Sequence, residues 1–337
     1  MGTPVLRSIF LLLTAVMLST VPARPESRTQ DPAPYQSFSN QKYSIEIDVD
    51  YQAQTYSGRE TVTFTNSTKR DIDQVSFHLY PNIGLNGDEF PWLTVQGVKL
   101  VLNTFAKYSQ TRFVLREGNS VLQVKLPFKL EPGRSVSLLV EFAAQVPRIQ
   151  REETTLLAHF LEEASDAVST EKPSRDSRDI FFACDQTLLL GYFHPVLAAP
   201  EIKSPNPAQA VGIGGLVNNE IADYDLKVTL QPGIALVSSL PPAEATPATA
   251  DNVHYFHGTN VRGIAIALSD NLKKTENTVG GIRLTTFAVP GDERVGQRIS
   301  DIAANALKSY SEAFGAYPFP NLTVVDVSPV YETDPVG

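Results

Sequence analysis

The side chains best suited to chemistry in this sequence are five histidines and one cysteine. They are His78, His159, His194, His254, His257 and Cys184. No histidine begins an H-E-x-x-H motif, in which two histidines on one helix face bind zinc and the glutamate is the general base. A single cysteine can form neither an internal disulfide nor a cysteine-based zinc site. The sequence therefore predicts no catalytic residue and no bound metal in this chain.

The individual candidates each have a structural interpretation. His254 and His257 are three residues apart, and on a strand such positions point to opposite faces, so they cannot share an ion. His194 lies beside Pro195 in an apolar block, which favours a packed core histidine. Cys184 has no local Cys–His motif and is predicted to be a small buried apolar residue rather than a nucleophile.

Most of the chain alternates between apolar and polar residues with period two, the pattern of strands with one wet face. A turn is expected at Ser57-Gly58. The predicted strands of residues 43–147 are Tyr43–Tyr51, Thr61–Thr65, Val75–Tyr80, Val95–Leu102, Val121–Leu126 and Val136–Phe142; those of the second half are contained in Ile180–Ala198 and in Tyr224–Leu230, Ile234–Leu240, Val253–His257 and Arg262–Leu268. The pattern predicts a mainly β fold, a large antiparallel sheet or sandwich domain over residues 42–275.

Two segments depart from this pattern. Residues 148–179 contain 13 charged residues among 32 and are predicted to be a polar surface insertion, with a short helix near Thr155–Ala164. After residue 280 a strand (Ile282–Val289), a helix with one apolar face (Asp292–Phe314) and a second strand (Leu322–Val327) predict an α/β unit. Residues 280–337 are therefore expected to be the start of a truncated α/β domain.

The N-terminus has the layout of a secretory signal peptide. Arg7 precedes the apolar run Ile9–Leu18, and Val21-Pro22-Ala23 fits a cleavage site. Residues 1–23 are the predicted signal peptide and 24–41 a flexible lead-in rich in Pro, Ser and Gln. The expected location is periplasmic or extracellular, with no membrane span after cleavage, or membrane-associated if the signal is retained. The formal net charge of −9 argues against nucleic acid as a partner, because an acidic chain repels a phosphate backbone.

Several blocks, in order, resemble the aminopeptidase N (membrane alanyl aminopeptidase) family of zinc metallopeptidases. They are YSIEIDVDYQAQTYSGRETVTFTN, VSFHLYPN, GYFHPVLAAPE, NNEIADYDLKVTLQPGIALVSS, NVRGIAIALSDN and ALKSYSEAFGAYPFPNLTVVDV, and they extend over about Tyr43–Val327. The resemblance implies a saddle-like N-terminal β domain followed by the beginning of a thermolysin-like domain. It also implies peptide substrates and zinc in the full-length protein, with this stretch capping the active site and shaping the pocket for the substrate's amino end.

One residue is assigned a role by the resemblance. In the family, a glutamine on the β domain ahead of the Phe-Pro block helps to hold the substrate's amino group, and Gln186 is the candidate here. The family's Gly-x-Met-Glu-Asn segment and zinc ligands do not occur in the sequence. Glu332 or Asp334 is either a divergent amino-binding acid or part of a plain loop.

The sequence leaves two other hypotheses of function open. The β domain is alternatively a non-catalytic scaffold or protein-binding module, as in relatives that lack the zinc ligands. A third alternative is a carbohydrate- or surface-binding β-sandwich unrelated to peptidases.

Overall fold

The computed structural model describes residues 38–85, 89–103, 107–150, 177–199, 219–244, 251–288 and 293–326. Several predictions lie outside these residues: the signal peptide, the lead-in up to residue 37, the helix near Thr155–Ala164, His159, Glu332 and Asp334. Residues Gln36–Gly337 form one compact unit.

The largest sheet has seven strands. They are β1 (Phe38–Asp50), β2 (Thr55–Asn66), β4 (Leu93–Asn103), β5 (Lys107–Gln110), β8 (Ser135–Gln145), β12 (Ala222–Leu230) and β14 (Val253–Val261). Their spatial order is β14-β12-β1-β2-β8-β4-β5. β1 begins inside the range assigned to the lead-in. β1 and β12 run parallel, with Tyr43 opposite Tyr224, whereas the other pairs of this sheet are antiparallel.

Two four-stranded sheets complete the β region. The first contains β3 (Ile72–His78), β6 (Arg112–Arg116), β7 (Val121–Leu130) and β11 (Val196–Leu197); the second contains β9 (Phe181–Cys184), β10 (Thr187–Gly191), β13 (Ala235–Ser238) and β15 (Ala265–Ser269). Their orders are β11-β3-β7-β6 and β13-β15-β10-β9. One hydrophobic cluster joins all three sheets, with Val62, Phe77 and Leu190 among its fully buried members. The mainly β fold predicted from the alternation is confirmed.

The predicted turn at Ser57-Gly58 is wrong, because both residues lie inside β2. The turn between β1 and β2 is formed by residues 51–54 instead. A Cβ atom on Gly58 would lie 2.8 Å from Ile47 Cγ2 and 2.8 Å from the Phe142 ring. Glycine at this position therefore serves a close approach of three strands and not a change of chain direction.

The C-terminal segment forms the predicted strand–helix–strand unit. β16 (Lys273–Val279), β17 (Ile282–Ala288) and β18 (Asn321–Val325) form a sheet in that order, and α1 (Glu293–Phe314) connects the parallel pair β17 and β18. Such a parallel pair needs a crossover connection, which the helix supplies.

Only part of the apolar face predicted for the helix packs on the sheet: Ile299, Ala303 and Ala306 are half-buried, and the larger members Ile302, Tyr310 and Phe314 are not. Gly296, Ser300 and Leu307 are buried, at spacings of four and seven, whereas Ile302, Tyr310 and Phe314 are 59%, 64% and 85% exposed. Gly296 allows α1 to lie close to Ala288 of β17, whereas Ile302, Tyr310 and Phe314 point away from the sheet. The helix thus has one packed face of mostly small residues and one exposed apolar face.

Candidate functional site

Gln186 lies in the tight turn between β9 and β10, and its side chain is exposed. Asp185, the preceding residue, has a φ of 49° and completes the turn. The backbone of Gln186 is fixed from the large sheet, because the Tyr51 hydroxyl donates a 2.6 Å hydrogen bond to its carbonyl oxygen. The structure thus presents the predicted substrate-binding side chain to solvent on a firmly held backbone.

The hydroxyl of Tyr51 connects this turn to a third segment. Its oxygen lies 3.3 Å from the backbone nitrogen of Asp270 and 3.4 Å from the Asp270 carboxylate. Asp270 follows the last residue of β15, and Ser269 pairs with Thr187, so Asp270 lies beside Gln186 across the ladder. Burial is the main cause that raises the pKa of Tyr51, which keeps the hydroxyl protonated and able to donate.

Carboxylates gather at this end of the β region. Asp185 and Asp270 flank Gln186, and Asp48 and Asp50 are exposed near the end of β1. Arg148 Nε donates a 2.5 Å hydrogen bond to the side-chain oxygen of Gln54, which lies in the turn between β1 and β2. A surface of this kind attracts a cation, and the amide oxygen and carboxylates can accept the hydrogen bonds of an ammonium group.

A second polar arrangement lies in the core between the sheets. Glu60 Oε2 on β2 is 2.8 Å from His194 Nδ1, and both side chains are completely buried. His194 Nδ1 is also 3.0 Å from the carbonyl oxygen of Pro195. Glu60 Oε1 and His194 Nε2 have no hydrogen-bond partner among the described residues. The prediction of a packed histidine is confirmed, but its acidic partner was not predicted.

The walls around this pair are aromatic. The Tyr43 and Tyr224 rings stack at 4.8 Å, and the His194 ring lies edge-on to both, at 5.3 Å and 5.9 Å. Desolvation is the largest cause that raises the pKa of Glu60, and His194 acts in the opposite direction. The sequence contains a signal that could have predicted this buried carboxylate. Glu60 alternates in step with Val62 and Phe64, which places its side chain on the inner face of β2.

Among the residues that the structure describes, the remaining histidines do not form a metal site with one another. In β14, His257 pairs with Asp225 and lies 2.7 Å from its carboxylate at the surface, whereas His254 is opposite the fully buried Val228. The prediction that the two point to opposite faces is confirmed. Desolvation lowers the pKa of His78 to about 4.

Potential metal ligands are likewise scattered. Cys184 is buried, as predicted. No group of three or more His, Cys, Asp or Glu side chains that could hold a metal ion occurs in the parts of the chain that the structure describes. Across the same parts of the chain, no helix has both the length and the apolar character needed to cross a bilayer.

Comparison with known proteins gives a match in structure only. No protein-family model matches the sequence, and no curated protein sequence matches it. A two-domain M1 zinc metallopeptidase variant bound to L-tryptophan superposes with a TM-score of 0.50 at 13% identity, covering 86% of this chain and 57% of that one. An M1 zinc metallopeptidase variant from Deinococcus radiodurans bound to a Tyr-Ser-Ala substrate gives 0.50 and 13%, covering 86% and 56%.

These matches define the fold class. At this identity the likeness shows the fold alone, which is that of the N-terminal β domain of M1 peptidases. The chain spans just over half the length of these metallopeptidases.

Proposed function

We propose that this chain is the N-terminal part of an exported zinc metallo-aminopeptidase of the M1 type. The full-length protein would hydrolyse peptide bonds, and this stretch would cap the active site and shape the pocket for the substrate's amino end. The observation that carries the proposal is the fold match over 86% of the chain to a structure named as an M1 zinc metallopeptidase. The sequence blocks that resemble the aminopeptidase N family, in the same order, support it independently.

The residues that the structure describes do not fit a zinc site. A catalytic zinc needs about three protein ligands, and no such group occurs among the described residues. Glu60 and His194 are one buried pair without a third ligand nearby. No step through zinc is therefore assigned to this chain, and the proposal places the metal in polypeptide that it does not contain.

The part assigned to this chain is recognition of an ammonium group. The exposed amide of Gln186 can accept a hydrogen bond from a peptide's amino terminus, and Asp270 beside it supplies negative charge. The hydrogen bond from Tyr51 fixes the turn, so little conformational entropy is lost when the ligand binds. Such a contact would set which end of a peptide enters the site.

The test uses the longest natural polypeptide that contains this chain, assayed with alanyl and leucyl reporter substrates. Gln186→Ala is expected to raise KM about 10- to 150-fold with a smaller change in kcat, because a hydrogen bond to a charged group contributes roughly 1.5–3 kcal/mol. Gln110→Ala, which changes another exposed glutamine on β5, is the matched control and should leave KM unchanged. An unchanged KM for Gln186→Ala would remove this residue from the pocket.

A non-catalytic scaffold or protein-binding module of the same fold is the second candidate. It needs no metal, and no group of side chains that could hold one occurs among the described residues. Zinc content separates the two: stoichiometric zinc and chelator-sensitive turnover in the natural polypeptide support the peptidase. A zinc-free, inactive natural product supports the scaffold.

Export is part of the proposal and rests on the Arg7 leader and the apolar run Ile9–Leu18. Mass spectrometry of the mature protein is expected to find an N-terminus near Arg24 in the periplasmic or secreted fraction. An intact Met1 in the cytoplasmic fraction would contradict export while leaving the peptidase proposal standing.

A further inference from the structure

The outer face of the seven-stranded sheet carries a shallow trough of about 430 Å³ near the β1–β2 turn. It crosses β1, β2, β8 and β4 and follows the strand register: Asp48 is opposite Ser57, Ser57 opposite Ala143, and Ala143 opposite Thr94. Three strand spacings make it about 14 Å across. Its floor consists of small side chains, which leaves room for a ligand lying on the sheet.

The two ends of the trough differ in chemistry. Asp48 and Asp50, both exposed, form the end on β1, and Phe90 with Trp92 forms the end before β4. The Phe90 ring is 85% exposed. No basic side chain lines the trough within the described residues. The carboxylates at one end match the cationic side chains of a peptide, and the aromatic side chains about 14 Å away can contact further side chains of the same peptide.

The spacing of the carboxylates limits the ligand further. Asp48 and Asp50 are two residues apart on one strand, so their side chains point to the same face at a distance of about 7 Å. Alternate residues of an extended peptide have the same spacing. Two basic side chains at positions i and i+2 can therefore meet the two carboxylates together.

The hydrogen-bonding groups of the floor favour this ligand over a neutral sugar. Thr94 donates its hydroxyl proton to the carbonyl oxygen of Ala143, and the Gln145 amide nitrogen lies 3.3 Å and 3.2 Å from the carbonyl oxygens of Ala53 and Gln54. These donors are directed at the protein's own backbone. Asp50 Oδ1 already accepts hydrogen bonds from the Ala53 N–H at 2.9 Å and from the Gln231 amide at 3.2 Å. The acceptors available to a ligand are therefore the second oxygen of Asp50 and the Asp48 carboxylate.

We infer that this trough binds an extended basic peptide segment with Lys or Arg at alternate positions. The trough shares Asp48 and Asp50 with the acidic end of the β region but does not include Gln186, and its ligand needs no free amino terminus. It would serve as a docking surface for a basic segment of a protein partner.

The experiment measures binding of fluorescent peptides that are acetylated at the amino end and amidated at the carboxyl end, so that an amino-end pocket cannot bind them. One peptide carries Arg at alternate positions in a Gly/Ser background, a second carries the same arginines at adjacent positions, and a third carries Glu instead. The alternate-Arg peptide is expected to bind most tightly, and more weakly as NaCl is added.

Variants locate the binding in the trough. Asp48→Asn and Phe90→Ala should each weaken it about two- to fivefold, typical of an exposed ion pair or cation–π contact. Asp71→Asn, an exposed carboxylate outside the trough, is the control and should have no effect. Equal binding of the Glu peptide, or affinities unchanged by both trough variants, would overturn the inference. Binding of a neutral oligosaccharide that is lost in Phe90→Ala and kept in Asp48→Asn would also overturn it, in favour of a glycan surface.

Discussion

At the scale of single residues, Glu60 shows how burial alone alters a common side chain. Desolvation raises its pKa above the ordinary value of 4.5, so the folded chain holds this proton more tightly than the unfolded chain. Below pH 4.5, the protonated Glu60 contributes its full stabilisation of the folded state. This contribution is lost as the pH rises through the pKa that Glu60 has in the folded chain. Glu60→Gln, which cannot titrate, should therefore gain stability relative to the natural chain across this rise in pH.

Urea unfolding of both chains at a series of pH values measures this difference. Glu46→Gln is the matched control, since Glu46 is a partly exposed glutamate 2.9 Å from Arg59 on the outer face of the same sheet. Arg59 and Lys227 lower the pKa of Glu46 against a desolvation that acts the other way, so its variant should lose stability relative to the natural chain as the pH rises. A constant difference between Glu60→Gln and the natural chain at all pH values would show that Glu60 does not titrate in this range.

His194 should matter through the partner it leaves behind. His194→Ala removes the 2.8 Å contact to a carboxyl group that has no access to water. Loss of one member of a buried pair costs about 3–5 kcal/mol, whereas breaking an exposed pair costs about 0–1 kcal/mol. Denaturant unfolding of His194→Ala and Arg59→Ala measures the contrast, and similar losses for both would contradict the role given to burial.

Gly58 gives a test of close strand packing. Replacing glycine by alanine within a strand usually gains about 0.5–1 kcal/mol, but here the new Cβ would lie 2.8 Å from Ile47 and Phe142. We expect Gly58→Ala to lower the free energy of unfolding by about 1–3 kcal/mol, since overpacked cores lose stability in that range. In Gly97→Ala the new Cβ meets only the end of the Glu141 side chain at 3.1 Å, so this control should be nearly neutral.

At the scale of elements, the two faces of α1 make opposite predictions. Leu307 is 5% exposed against the sheet, so Leu307→Ala should cost about 2–5 kcal/mol. Tyr310 is 64% exposed, so Tyr310→Ser should change stability by no more than about 0.5 kcal/mol in this chain. Thermal or urea unfolding of the two variants measures the contrast. If Tyr310→Ser lost more stability than Leu307→Ala, the side of the helix that carries Tyr310 would be packed and not exposed.

The same scale shows what sequence reasoning could reach. Strands with strict alternation, such as β1 and β12, were predictable because one of their faces is buried. β5 and β16 were missed, since almost all their residues are exposed and no alternation marks them. The parallel pairing of β1 with β12 was also out of reach, because a half-buried strand has the same local pattern in either direction. Gln186 was predicted only from the family resemblance. The hydrogen bond from Tyr51 that fixes its turn joins residues 135 positions apart, so no local sequence pattern could predict it.

At the scale of the whole molecule, the β region and the C-terminal α/β segment differ in how completely they are covered. The inner face of β1 lies in the hydrophobic cluster that joins three sheets, while α1 rests on one three-stranded sheet and exposes Ile302, Tyr310 and Phe314. Segments with fewer buried apolar contacts open at lower free energy and exchange their amide hydrogens sooner. In the 337-residue chain, we expect α1 to exchange well before β1.

Hydrogen exchange followed by mass spectrometry tests this prediction and connects it to the proposed function. In the longest natural polypeptide that contains this chain, the proposal predicts that further residues cover the exposed face of α1, so its protection should rise towards that of β1. Protection of β1 itself is the internal control and should be the same in both polypeptides. Equal protection of α1 and β1 in the 337-residue chain would show that α1 is already stably packed. The proposal that further residues cover its exposed face would then be wrong.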